Sequence, residues 1–124
     1  MTTPNTVIIG LGRIGSAFLG AILERRQRIN LLCVAELADT PAKRQAKKAG
    51  IPTASIDDII AMGDKIDIIF DLTGIPDVRR ELREKLVAAK NDNTVIASET
   101  IARFIWSLIS DDELPLIEGR KMGY

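Results

Sequence analysis

The sequence predicts an α/β fold: a single doubly wound Rossmann domain of five parallel strands, order 3-2-1-4-5, with helices on both faces. Three observations carry this expectation. Short apolar runs alternate with stretches of helical period along the chain. Runs such as INLLCVAE are apolar on both faces, as strands in a covered parallel sheet must be. The first run leads into Gly10, Gly12 and Gly15 at the spacing G-x-G-x-x-G, ahead of a helical pattern. Right-handed crossovers then place the helices on the two faces of the sheet.

The elements follow in order. Residues 5–9 form the first strand. Residues 13 to about 27 form a helix, because Ile14, Ala17, Phe18, Ala21 and Ile22 recur at three- and four-residue steps. Residues 29–36 are the second strand. Thr40 and Pro41 supply an N-cap and a first-turn proline, and Gly50 a stop, for a short helix between them. Residues 51–55 are a short third strand. Ser55, with Asp58 three positions later, starts the helix of DDIIAMG.

Residues 66–72 are a buried fourth strand, and 76–90 a helix with Val78, Leu82, Leu86 and Ala89 on one face. Glu81 and Lys85 form an i,i+4 pair on it. NTVIAS is the fifth strand and TIARFIWSLIS the last helix. Residues 1–110 are thus expected to form the dinucleotide-binding domain. Residues 111–124, without a clear period, are expected to be a C-terminal tail or the start of a linker.

Composition excludes several classes. Seventeen basic and seventeen acidic residues cancel, so no basic excess points to nucleic acid or an anionic membrane. No apolar run reaches the roughly 20 residues needed to span a bilayer. The N-terminus lacks the pattern of a targeting signal. One cysteine, Cys33, cannot form an internal disulfide, which fits the cytoplasm. There is no histidine, which removes the commonest general base and metal ligand. No metal site is expected, and no lysine followed by serine or threonine closes the glycine motif as in a nucleoside-triphosphate loop.

Each glycine of the motif has a physical role. Gly10 permits the tight turn off the strand, Gly12 lets a pyrophosphate approach the backbone, and Gly15 lets the helix pack closely. The loop Gly10, Leu11, Gly12, Arg13, Ile14 and Gly15 then directs amides and a helix N-terminus at the phosphates. Glu36 closes the second strand, 21 positions after Gly15. A carboxylate there accepts from both adenosine ribose hydroxyls and repels a 2′-phosphate, so NAD is favoured over NADP.

VIIGLGRIGSAF, LLCVAE and IDIIFDLTG together resemble the N-terminal cofactor domain of the glucose–fructose oxidoreductase and inositol dehydrogenase superfamily. They are similar as well to the matching domain of aspartate and homoserine dehydrogenases. The resemblance covers roughly residues 5–110. It implies that the loop Thr73-Gly74-Ile75-Pro76 lies beside the ribose and nicotinamide. Read without the resemblance, Gly74 and Pro76 end a strand and begin a helix, which is compatible.

The resemblance implies a second domain bearing the substrate pocket, and in sugar and polyol members a Glu-Lys-Pro segment after the fifth strand. This chain has Ser98, Glu99 and Thr100 there, and 14 residues after the last helix. Catalytic residues are therefore unassigned. Lys85 and Lys90 read as solvated, Cys33 as a buried thiol, Glu99 as an acid in a helix's first turn, and Asp71 as a loop or cofactor contact. Lys43, Arg44, Lys47 and Lys48 read as a solvated helix face.

On the last helix, Ile101, Phe104, Ile105, Leu108 and Ile109 share one face at about 100° per residue. Trp106 lies off that stripe and is expected at an interface, with a second copy or a missing domain. Three uses of the domain fit the sequence. They are the cofactor half of a dehydrogenase, not expected to turn over a substrate alone; an NAD+/NADH-sensing regulatory module; and an interaction scaffold that binds no dinucleotide.

Overall fold

In the computed structural model of the chain, residues 3–110 are described. The expected tail at 111–124 lies outside them. β1 (Asn5–Ile9), α1 (Arg13–Leu23), β2 (Asn30–Ala35), α2 (Pro41–Lys48), α3 (Ile56–Ala61), β3 (Ile68–Asp71), α4 (Pro76–Ala88), β4 (Val95–Ala97) and α5 (Glu99–Ile109) follow one another along the chain. The strands are all parallel, in the order β2-β1-β3-β4. None of the described helices is long and apolar enough to cross a membrane.

The sheet has four strands rather than the expected five. The run at 51–55 lies beside β2, on the side expected of the third strand, but makes one parallel bridge, Thr53 to Val34. Val34 N–H donates to the Pro52 carbonyl at 3.0 Å, and Ala54 N–H to the Val34 carbonyl at 2.8 Å. The run is used up at both ends. Ile51 still closes the end of α2, its N–H donating to the Ala46 carbonyl, and Ser55 already caps α3. Pro52, between them, has no N–H to donate.

Alternation along the strands divides the core in two. Ile8, Val34, Phe70 and Ala97 face α1, α2 and α5, joining Leu11, Phe18, Leu19 and Ala102. Phe18 and Phe70 meet there with ring centroids 4.8 Å apart. Val7, Ile9, Cys33 and Ile69 face α3 and α4, joining Ile59, Leu82 and Leu86.

The helix starts agree with their sequence signals. Thr40 Oγ1 accepts from Lys43 N–H at 3.1 Å, with Pro41 opening α2. Ser55 and Asp58 form a reciprocal capping box on α3. One helix end differs clearly. α1 ends at Leu23, four residues short of Gln27, and residues 24–28 continue as tight turns. The stretch ERRQR has no apolar side chain to pack, so burial does not extend the helix.

The apolar stripe on α5 is split between core and surface. Ala102 is fully buried, and Ile105 and Trp106 pack against the core, while Ile101, Phe104 and Leu108 point outward. The small Ala102 lets the helix approach the sheet, and of the large stripe only Ile105 packs against the core, while Ile101, Phe104 and Leu108 are left outside. Trp106 is half-buried.

Candidate functional site

The carboxyl ends of β1, β2 and β3 meet the glycine loop on one edge of the sheet. Gly10 turns the chain off β1 at φ +96°. A Cβ there would also stand 2.8 Å from the Leu72 carbonyl carbon and the Thr73 nitrogen, so the turn rests against the loop after β3. At Gly15 a Cβ would lie 1.9 Å from the Gly10 carbonyl oxygen, so α1 touches the loop backbone directly. At Gly12 a Cβ would meet nothing within 4 Å. Two of the glycines are therefore required by packing, and the third borders open space.

The N-terminus of α1 lies at that open position. Gly12 is its N-cap, no side chain caps it, and its first turn holds no acidic residue. The helix thus supplies neither a capping side chain nor a carboxylate to its own positive end. Leu11 and Ile14 send their side chains into the core, which fixes the loop, while Arg13 is exposed.

Glu36 follows β2 directly. Its Oε1 accepts the Leu11 N–H at 2.8 Å, and its Oε2 accepts the Ala38 N–H at 3.1 Å. The acid is thereby bound to the glycine loop. The Leu11 amide, expected to face a phosphate, is directed to this carboxylate instead.

Beyond β3, Asp71 is buried and organises the next loop. Its Oδ1 accepts from Thr73 Oγ1 at 2.7 Å and from Thr73 N–H at 3.2 Å. Thr73 Oγ1 in turn accepts from Ile75 N–H at 3.1 Å. Gly74 turns at φ +68°. Arg79 Nε stands 3.7 Å from Asp71 Oδ2. At the end of β4, Glu99 is only 3% exposed and lies 3.4 Å from Arg103.

Between these loops and the starts of α3 and α4 is a cleft of about 620 Å³. It brings together Gly10, Glu36 and Thr73 of the expected site. Leu11, Gly12, Arg13, Ile14, Gly15 and Gly74 do not line it. Its remaining wall includes Lys43, Thr53, Ser55, Asp57, Val78 and Glu81, none of which the sequence singled out for a site. The signal was present only for structure: Ser55 as a cap, Glu81 as half of a helix pair. Lys85 joins these elements, pairing with Glu81 at 2.8 Å and also with Asp57 of α3. Hydrogen bonds to Asp57 and Glu81 raise its pKa.

The other candidates for chemistry lie away from the cleft. Cys33 is fully buried; burial, with a lesser contribution from Asp58, pushes its thiol up to about 11. Lys90 is exposed past the end of α4. The described residues contain no group of histidines, cysteines and acids able to hold a metal ion.

The sequence profile of an oxidoreductase family with an NAD-binding Rossmann fold matches residues 4–97. No curated protein matches the chain. Among solved structures, homoserine dehydrogenase from S. aureus superposes with a TM-score of 0.59 at 18% identity, covering 87% of this chain and 30% of that one. The scyllo-inositol dehydrogenase of Lactobacillus casei, solved with NAD(H) and scyllo-inositol, gives 0.57 at 20%, covering 86% and 34%. A protein described as RSP, in complex with β-NADH, gives 0.56 at 18%, covering 86% and 58%. The chain spans about a third of the length of the dehydrogenases it matches.

Proposed function

The chain belongs to this oxidoreductase family with an NAD-binding Rossmann fold, and we propose that it binds NAD(H) at the carboxyl edge of its sheet. In this reading the amides that open α1 receive the pyrophosphate beside Gly12. Glu36 takes the adenosine ribose, and the cleft along Thr53–Asp57 and Val78 takes the adenine. Thr73 and Gly74 border the nicotinamide side. The observation that carries the reading is the contrast among the three glycines: Gly10 and Gly15 are filled by backbone, while Gly12 faces open space next to an uncapped helix N-terminus.

The same contact between Glu36 and Leu11 supports a preference for NAD(H) over NADP(H). A carboxylate fixed at the end of β2 accepts from two hydroxyls and opposes a phosphate. A bound nicotinamide would supply the hydride donor or acceptor. The residues of this chain hold and orient it.

We further propose that the chain alone does not turn over a substrate. Where sugar and polyol members carry a lysine, Glu99 is buried and held to Arg103, a poor arrangement for moving a proton at a substrate. A second domain or chain would then complete the nicotinamide side, in the cytoplasm, where the lone thiol stays reduced. The dehydrogenase-type reading is preferred. A sensing use would show as unequal affinity for NADH and NAD+ without turnover. The test is calorimetric titration of the chain and of Gly12→Ala with NADH: binding by the first and a large loss in the second is expected. Equal affinity would contradict the pyrophosphate position.

A further inference from the structure

Eight large apolar side chains are exposed among the described residues, and four of them lie together on two adjoining elements: Val95 of β4 and Ile101, Phe104 and Leu108 of α5. Phe104 is 63% exposed and Leu108 72%. Ala97 packs in the core on the α5 side, so two-residue alternation puts Val95 on that same face. β4 is also the outer strand of the sheet: among the described residues its partner is β3, and its other edge is unpaired.

We propose that this surface joins two copies of the chain about a two-fold axis, with α5 antiparallel to α5 and β4 edge to edge. The spacing of the stripe is self-complementary. In an antiparallel pair with the axis between positions 104 and 105, Ile101 of one copy meets Leu108 of the other and the two Phe104 side chains lie on either side of the axis, as an isologous interface requires. The face also carries no charge. The two charged side chains of α5, Glu99 and Arg103, are turned inward, at 3% and 14% exposure, so a second copy brings no like charges together.

The strand edge has no lysine, proline or bulge to obstruct pairing. The four side chains offer roughly 450 Å² per copy, so a pair buries about 900 Å² through them, and pairing of the β4 edges brings this to the lower bound for a specific interface. The surface shares no residue with the cleft, and the proposal does not depend on dinucleotide binding.

Sedimentation velocity on the full chain tests it. The expected result is a species of twice the 13.6 kDa chain mass. Phe104→Glu, and separately Leu108→Lys, should sediment as monomers with unchanged helical circular dichroism, since both side chains point outward. A wild-type chain that stays monomeric at about 100 μM would overturn the proposal and leave the face to a different partner. So would a folded Phe104→Glu variant that remains dimeric.

Discussion

Glu36 Oε1 accepts the backbone N–H of Leu11 at 2.8 Å, so the acid after β2 holds the glycine loop as well as facing the cleft. Glu36→Ala removes the loop anchor and the ribose acceptor together. A hydrogen bond to a charged group contributes about 1.5–3 kcal/mol, so NADH affinity is expected to fall tenfold or more. NADP(H) should lose less, because the same change removes the charge opposing its phosphate. Calorimetry on the variant with both dinucleotides checks this, and equal losses would count against the ribose role.

Gly12 and Gly15 separate binding from architecture. Gly15→Ala places a methyl group 1.9 Å from the Gly10 carbonyl oxygen and 2.9 Å from its carbon, backbone that cannot swing away, and should destabilise the fold by several kcal/mol. Gly12→Ala meets no protein atom within 4 Å and keeps a negative φ, so its melting temperature should stay within a few degrees of wild type. It should nevertheless lose most dinucleotide affinity, because the methyl group occupies the approach to the backbone. Thermal melts paired with titrations read both effects.

α2 and α4 end in the same hydrogen-bonded turn with different residues. After α2, Gly50 stands at φ +80°, with its N–H donating to the Lys47 carbonyl and the Ile51 N–H to the Ala46 carbonyl. After α4, Lys90 stands at φ +57°, with matching bonds to Val87 and from Asn91 to Leu86. The left-handed position favours glycine. Lys90→Gly is expected to stabilise the domain by about 0.5–1 kcal/mol, and Gly50→Ala to destabilise it by a similar amount, in denaturant unfolding.

Cys33 gives a pH dependence with a defined sign. Its pKa rises from 9.0 to about 11 because burial disfavours the thiolate. Below pH 9 both folded and unfolded thiols are neutral. Between pH 9 and 11 the unfolded thiol ionises while the folded one keeps its proton, so stability falls as pH rises. Cys33→Ala should show a shallower decline over that window. Native protein at pH 8.5 should resist iodoacetamide and react once unfolded.

Much of this was legible in the sequence because local chemistry sets it. Thr40–Pro41, Ser55–Asp58 and Pro76 mark helix starts through hydrogen bonds and fixed φ angles that span a few residues. The glycine loop and Glu36 were legible because a single turn requires that spacing. The misses depend on packing between distant elements. The run at 51–55 has the composition of a strand, but Ser55 is taken by a cap and Pro52 cannot donate. Side-chain size does not reveal the buried face of α5, because close approach to the sheet selects the small Ala102 and leaves Ile101, Phe104 and Leu108 exposed. The cleft wall at Ser55, Asp57 and Glu81 arises where α3 meets α4, and no spacing along the chain encodes that meeting.

Calorimetric titration of the purified chain with NAD+, NADH, NADP+ and NADPH tests the central claim most directly. Binding of NAD(H), with little or none of NADP(H), is the expected result. No binding by any of the four would contradict it and leave Gly10, Gly12 and Gly15 as architecture alone.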